Sequence, residues 1–178
     1  MIRVSRHGMQ PAAALIITTV MAAIAIGAAQ AEPTKPVREE NGKYFDAQDS
    51  PTYNIKADGT VDWYTYSGYR RYHAECHTCH GPDGMGSSYA PALVESLKRL
   101  SYQDFLEVVI QGRQNVSSGS QNVMPSFGTN NNVACYLDDL YVYLKARSDG
   151  ALERVRPGKR EDKPQAATDA EKTCLGGG

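Results

Sequence analysis

The chain has 178 residues with 19 Lys and Arg against 20 Asp and Glu, so its formal net charge is −1. This balance, without a polybasic run, gives no indication of a nucleic-acid partner, and none is expected. Once a leader is removed, the remaining length is enough for one domain with a single hydrophobic core.

The first 31 residues have the pattern of a secretory signal peptide. Arg3 and Arg6 form a basic start, residues 12–28 are apolar and rich in alanine, and Ala29–Ala31 match an A-x-A cleavage site. Cleavage would leave about 147 residues beginning near Glu32, exported and without membrane insertion. Retention of this segment as an uncleaved N-terminal anchor stays open as an alternative.

Residues 32–62 are predicted to form an N-terminal extension. Residues 32–41 are rich in proline and charge, which is typical of a mobile leader. From Tyr53 to Trp63, apolar residues alternate on both sides of an Asp-Gly turn, which favours a small β-hairpin. We expect this hairpin to be an appendage to the domain that follows.

A C-x-x-C-H run occupies Cys76 to His80 and is the attachment sequence for c-type haem. Two thiols three residues apart lie on one face of a helical turn, where Cys76 and Cys79 can both form thioethers with the haem. His80 then offers its imidazole to the iron. A zinc site would need a second Cys/His pair, and a thioredoxin-like motif would follow a strand of a βαβ unit. The sequence contains neither, so one covalently bound haem c is predicted, in the periplasm.

Helical periodicity surrounds this motif. The helix before it is predicted from Trp63 to Glu75, with Gly68 and Tyr72 on one face, where a second helix could approach closely. Further helices are predicted over 94–100, 102–111 and 133–146, and a long polar loop over 113–131. Long irregular loops in compact domains are usually functional.

Met124 is the candidate for the second axial ligand of the iron. Met85 lies only five residues after His80 and is not expected to reach around the macrocycle. Met124 lies in the long loop, where Pro125 restricts the backbone beside it. His/Met ligation raises the reduction potential and leaves no open coordination position. The sequence therefore predicts an electron-transfer protein and not an enzyme.

Two more residues are candidates for contacts around the haem. Arg113 could pair with a haem propionate, although a solvated loop arginine is an equal alternative. The carbonyl of Pro91 could accept the Nδ1 proton of His80, which would orient the imidazole and raise its basicity.

Residues 148–178 are predicted to form an extended C-terminal tail that is rich in proline and charge. This tail carries Cys174, which with Cys135 makes an even pair outside the C-x-x-C-H run. In an exported chain such a pair suggests a disulfide. Two free thiols, or an intermolecular bridge through Cys174, stay open.

Residues 63–147 resemble class I cytochromes c. The resemblance rests on the C-x-x-C-H run, on Met124-Pro125, and on the last helix with its Asp-Asp-Leu-Tyr-Val-Tyr-Leu sequence at 138–144. It implies a mainly α monohaem domain in which the first and last helices cross near the haem edge. Gly68 and Tyr72 would then lie against residues 140–144.

A narrower resemblance extends over most of the exported chain. Residues 53–68, residues 84–97 and the four-cysteine count are similar to the methanol-metabolism-related (cytochrome c-L-like) c-type cytochromes. This resemblance implies that a PQQ-dependent methanol or other alcohol dehydrogenase is the electron donor. A downstream cytochrome or a terminal oxidase would be the acceptor.

Two other functions remain open for the same haem motif. The chain could be the haem c subunit of a membrane-bound oxidoreductase complex, which would require the retained N-terminal anchor. It could also be a haem peroxidase or ligand sensor, which would require Met124 to leave the iron.

Overall fold

The computed structural model describes residues 34–117 and 120–176, and the predicted signal peptide lies outside the described residues. Residues Ala31–Gly178 form one unit around a single core. The elements in chain order are strands β1 (Arg38–Glu40), β2 (Lys43–Phe45) and β3 (Pro51–Thr52), helices α1 (Trp63–Glu75) and α2 (His77–His80), a 3-10 turn (Pro82–Gly84), helices α3 (Leu93–Ser96) and α4 (Tyr102–Gln111), strands β4 (Arg113–Ser117) and β5 (Ser120–Met124), and helices α5 (Asn131–Ala134), α6 (Leu137–Ser148) and α7 (Gln165–Leu175).

The core of the fold is the crossing of α1 and α6. Helix α1 begins where predicted, because the side chain of Asp62 accepts a hydrogen bond from the N–H of Thr65 at 2.8 Å and caps the helix. A Cβ at Gly68 would lie 1.8 Å from the carbonyl oxygen of Asp139, so the two backbones touch at this point. The fully buried Tyr72 and Tyr143 pack ring to ring beside it. The predicted approach of α1 to the last helix is confirmed.

Helix α4 also follows its sequence signals. Ser101 and Asp104 form a reciprocal capping box, and Gly112 ends the helix with a φ of 75°. The helix predicted over 133–146 is instead divided into α5 and α6, with a break at Cys135 and Tyr136. The guanidinium of Arg71 stacks 3.5 Å above the Tyr136 ring at this break.

The N-terminal extension contains more structure than its composition indicates. Strands β1, β2 and β3 form an antiparallel sheet in that order, so residues 38–40 are an edge strand and not part of a mobile leader. The sheet is held to α6 by an ion pair between Lys43 and Asp138 at 2.6 Å. The predicted hairpin is reduced to one antiparallel bridge between Ile55 and Val61, and Val61 also pairs in parallel with Arg160.

The C-terminal tail is non-helical over 151–164 and then continues as α7, which the sequence did not indicate. Helix α7 buries only Ala167, so it contributes little to the hydrophobic core. Its Cys174 is joined to Cys135, with Sγ atoms 1.98 Å apart and Cα atoms 5.8 Å apart. Among the described residues, no helix is long and apolar enough to cross a membrane.

Candidate functional site

A cavity of about 50 Å³ lies between α3, α4, α5 and α6 and is lined almost entirely by apolar side chains. It brings together three residues of the predicted site, Cys76, His80 and Met124. The other lining residues are Leu93, Leu97, Leu100, Phe105, Val108, Val109, Phe127, Val133, Leu140 and Leu144. A dry lining of this kind excludes water and lowers the local dielectric around any bound group.

The C-x-x-C-H run lies on a helical turn, as its chemistry requires. The N–H of Cys76 donates to the carbonyl of Tyr72 at 2.9 Å, and the N–H of His80 donates to the carbonyl of Cys76 at 3.0 Å. Cys76 is half-buried and faces the cavity, whereas Cys79 is exposed. Burial, together with the charge of Glu75, raises the pKa of the Cys76 thiol to about 12, so the free thiol is protonated at neutral pH.

His80 is held in one orientation by the loop that follows the attachment turn. It is buried, and its Nδ1 lies 3.0 Å from the carbonyl oxygen of Pro91, the contact expected from the sequence. A carbonyl can only accept, so Nδ1 carries the proton and donates it. The lone pair of the neutral imidazole is then on Nε2, the nitrogen available to a metal.

The predicted loop over 113–131 contains a β-hairpin that carries Met124 to the cavity. Strands β4 and β5 pair with Arg113 opposite Met124. The hairpin starts at Gly112, whose φ of 75° and close approach to the Met124 carbonyl, 2.6 Å from a Cβ at that position, both favour glycine. The side chain of Met124 is half-buried in the cavity wall, while Arg113 is exposed.

Tyr72 has a second role that sequence reasoning missed. Its hydroxyl donates to the carbonyl of Gly81 at 2.5 Å and accepts from the N–H of Gly84 at 2.9 Å. The tyrosine thereby ties α1 to the turn that leaves His80, in which Gly81, Asp83 and Gly84 all have positive φ. No local sequence pattern predicts these hydrogen bonds, because the partners of Tyr72 lie 9 and 12 residues away along the chain.

The residues around the cavity fit a covalently attached haem. The apolar lining holds one thiol, an imidazole nitrogen with a free lone pair, and a thioether, and the second thiol of the attachment run, Cys79, lies outside it at the surface. Imidazole and thioether are the axial ligands of cytochromes c. Among the described residues, there is no group of three His, Cys, Asp or Glu side chains that could hold a bare metal ion.

Comparison with known proteins agrees with this interpretation. Residues 65–144 match the model of the family described as cytochrome c oxidase, cbb3-type, subunit III. Cytochrome c-555 of Methylococcus capsulatus is 45% identical over 106 residues, which are 59% of this chain and 76% of that protein. Cytochrome c-553I of Paracoccus denitrificans is 55% identical over 142 residues, or 80% of this chain, but the chain spans only 63% of that relative.

A solved structure extends the likeness to three dimensions. The crystal structure of the c-type cytochrome XoxG from Methylobacterium extorquens AM1 has a TM-score of 0.75 and 58% identity to this chain. The match covers 80% of this chain and 87% of that one. The chain belongs to the c-type cytochromes.

Two predictions are thereby confirmed, the mainly α class I cytochrome c fold and one covalently bound haem c as the cofactor. The c-type cytochromes that the chain resembles are electron-transfer proteins, which agrees with the third prediction, an electron-transfer protein and not an enzyme.

Proposed function

We propose that this chain is a periplasmic carrier of single electrons from a PQQ-dependent alcohol dehydrogenase to a downstream cytochrome or terminal oxidase. Methanol dehydrogenase is the first candidate for the donor. The observation that carries the proposal is the extent of the likeness to the XoxG cytochrome, 80% of this chain, well beyond the haem domain. A match over 80% of the chain extends outside residues 63–147. Residues 53–62, which precede the haem domain, are part of the segment that resembles methanol-metabolism-related cytochromes.

In this proposal each site residue has one role. Cys76 and Cys79 would hold the haem through thioethers, while His80 and Met124 would ligate its iron. Bound haem supplies a one-electron couple, and the chain supplies its ligands, its orientation and a water-excluding wall. Pro91 keeps His80 in the tautomer that presents Nε2. With both axial positions filled by the chain, the site favours electron transfer over the binding of oxygen or peroxide.

The surface at Cys79 is the expected point of electron exchange. Cys79 is exposed, so the edge of the macrocycle bound to it would lie close to solvent and to a docked partner. Encounters between redox proteins are brief and bury less than about 1,200 Å². We therefore expect a weak, salt-sensitive complex with the donor and not a stable assembly.

The test is reduction of the purified, haem-loaded chain by candidate PQQ dehydrogenases, with and without their alcohol. The proposal predicts reduction that requires both PQQ and alcohol, measured by stopped-flow absorbance of the haem. A dehydrogenase preparation without PQQ is the control. Failure of every PQQ dehydrogenase tried, together with rapid reduction by a quinol-oxidising complex, would contradict the donor assignment.

A second candidate is the haem c subunit of a membrane-bound oxidoreductase. The observation that favours it is the match of residues 65–144 to the family described as subunit III of cbb3-type cytochrome c oxidase. Intact mass of the exported protein separates the two candidates. A mass for a chain beginning near Glu32 supports the carrier, and a mass that retains the first 31 residues supports the anchored subunit.

A further inference from the structure

Three arginines surround the ring of Tyr66 on the outer face of α1. Arg156 Nη2 donates to the Tyr66 hydroxyl at 3.2 Å, and the guanidinium of Arg160 lies 5.0 Å from the centre of the Tyr66 ring. Arg70 follows Tyr66 by four residues on the same helix face and is exposed. We call Arg70, Arg156 and Arg160 the arginine cluster.

The arginine cluster has no carboxylate bonded to it among the described residues. Two acidic residues near it are paired with lysines instead, Glu161 with Lys56 at 2.8 Å and Asp58 with Lys159 at 3.3 Å. Within the part of the chain that the structure describes, the cluster arginines form no ion pair with a carboxylate. The hydrogen bond from Arg156 and the nearby positive charges lower the pKa of Tyr66. This shift indicates a positive local potential.

Two side chains of the cluster, Arg156 and Arg160, are held by aromatic partners. The guanidinium of Arg160 stacks 4.9 Å from the centre of the Trp63 ring as well as on Tyr66. The 151–164 segment that carries Arg156 and Arg160 is bonded to the chain just before α1 through the pairing of Arg160 with Val61. Stacked guanidinium groups lose less side-chain entropy when they bind than free lysines do.

The arginine cluster, together with Trp63 and Tyr66, has the composition of a protein-binding surface. Arginine, tryptophan and tyrosine are the residues most enriched at the energetic centres of protein interfaces. Val155, which is 55% exposed, adds an apolar side chain to the same segment. Arg156 and Arg160 contact aromatic side chains, and Arg70 lies one helical turn from Tyr66. Guanidinium groups combined with aromatic side chains suit a protein surface that carries several carboxylates.

We propose that the arginine cluster is a docking surface for a carboxylate-rich protein face, separate from the haem cavity. None of the residues that line the cavity belongs to the cluster, so docking there does not occupy the haem site. The chain as a whole has a net charge of −1, so a local concentration of arginines would orient it towards an acidic partner. This inference does not depend on which dehydrogenase or oxidase the cytochrome serves.

The experiment measures binding of poly-L-glutamate to the haem-loaded chain by titration calorimetry at low and moderate salt. R156Q/R160Q should bind about tenfold more weakly than the wild type, and R70Q about threefold more weakly. The matched control is K98Q/K172Q, which removes two exposed lysines, and so the same charge, outside the cluster. The control should retain wild-type affinity within about twofold.

Unchanged binding of R156Q/R160Q and R70Q, or an equal loss in the lysine control, would overturn the proposal. Inorganic phosphate and phosphatidylglycerol vesicles are titrated in parallel. If either binds more tightly than poly-L-glutamate through the same arginines, the partner is a small anion or a lipid surface, and the protein assignment is wrong. R70Q keeps the test valid if R156Q/R160Q misfolds the 151–164 segment, because Arg70 lies on α1 and not in that segment.

Discussion

His80 and Met124 are far apart in the chain and meet only at the wall of one cavity. Sequence reasoning could select both, because each has a local signal. His80 completes the attachment run, and Met124 stands beside a proline in a long loop. The contact between His80 and the Pro91 carbonyl could also be anticipated from the sequence. The two hydrogen bonds of the Tyr72 hydroxyl could not be anticipated. Their partners are backbone groups of Gly81 and Gly84, and no sequence pattern marks such contacts.

Met124→Ala tests the axial ligand. Loss of the thioether should lower the reduction potential, abolish the near-infrared thioether-to-iron band and let added imidazole bind the iron. Since Met124 is half-buried, the unfolding free energy should also fall by about 1–2 kcal/mol. Visible and near-infrared spectra with a potentiometric titration provide the measurement. Met85→Ala is the control, and an unchanged spectrum for Met124→Ala would show that another group ligates the iron.

Tyr72→Phe removes the hydroxyl that connects Gly81 and Gly84. One carbonyl and one N–H would then be left buried without their partner, which should lower the unfolding free energy by about 1–3 kcal/mol. Chemical denaturation of the haem-loaded protein, followed by circular dichroism, measures this effect. Tyr89→Phe, at a side chain that is 75% exposed, should change nothing. Equal stability of the two variants would refute the role assigned to Tyr72.

At the scale of elements, a helix or strand could be predicted from the sequence only where its local sequence pattern was strong. Helix α1 and helix α4 have caps and apolar stripes, so they could be predicted within a residue or two. The three-stranded N-terminal sheet and α7 could not. Strand β1 is three residues long and fully exposed, so it shows no alternation of buried and exposed positions, and α7 follows a segment whose proline and charge content favoured an extended tail. They form because they pack against or bond to elements distant in sequence.

The crossing of α1 and α6 should make stability depend on pH through Asp139. Burial raises the pKa of this carboxyl from 3.8 to about 7, against a smaller opposing effect of its hydrogen bond with Ser67. Between these values the unfolded chain has lost the Asp139 proton and the folded chain still holds it. The contribution of Asp139 to the unfolding free energy therefore falls as the pH rises from about 4 to about 7.

Asp139→Asn removes this titration and keeps the shape of the side chain. Relative to the wild type, the variant should gain about 1–3 kcal/mol of unfolding free energy between pH 5 and pH 8. Denaturation curves at several pH values measure the difference. Asp162→Asn, at an exposed position, should follow the wild type throughout. A constant difference between Asp139→Asn and the wild type would mean that Asp139 does not titrate in this range.

On the scale of the whole molecule, both ends of the described chain close over the haem domain. Asp149, at the end of α6, accepts hydrogen bonds from Thr34 Oγ1 at 2.9 Å and from the Tyr53 hydroxyl at 3.1 Å. In the C-terminal tail, Arg160 pairs with Val61 just before α1, and Cys174 of α7 is joined to Cys135 just before α6. The N-terminal extension and the C-terminal tail thus both bond to residues next to the ends of α1 and α6.

The pairing of Cys135 with Cys174 closes a loop with a sequence separation of 39 and stays a prediction until thiols are counted. The denatured, non-reduced, haem-loaded protein should show no free thiol. Cys135→Ser/Cys174→Ser should lower the unfolding free energy by about 2–4 kcal/mol through the larger entropy of the unfolded chain. Its visible spectrum should not change, because neither cysteine lines the cavity. Two titratable thiols in the wild type would refute the pairing.

The sequence by itself determined the chemistry of this protein. The attachment run, the downstream methionine and the helix caps act over a few residues, and such local patterns can be read without a structure. Only the tertiary structure decided how the ends of the chain fold, how Tyr72 ties the attachment turn to α1, and where the arginine cluster lies. These features depend on contacts between residues distant in sequence, which exist only once the chain has packed.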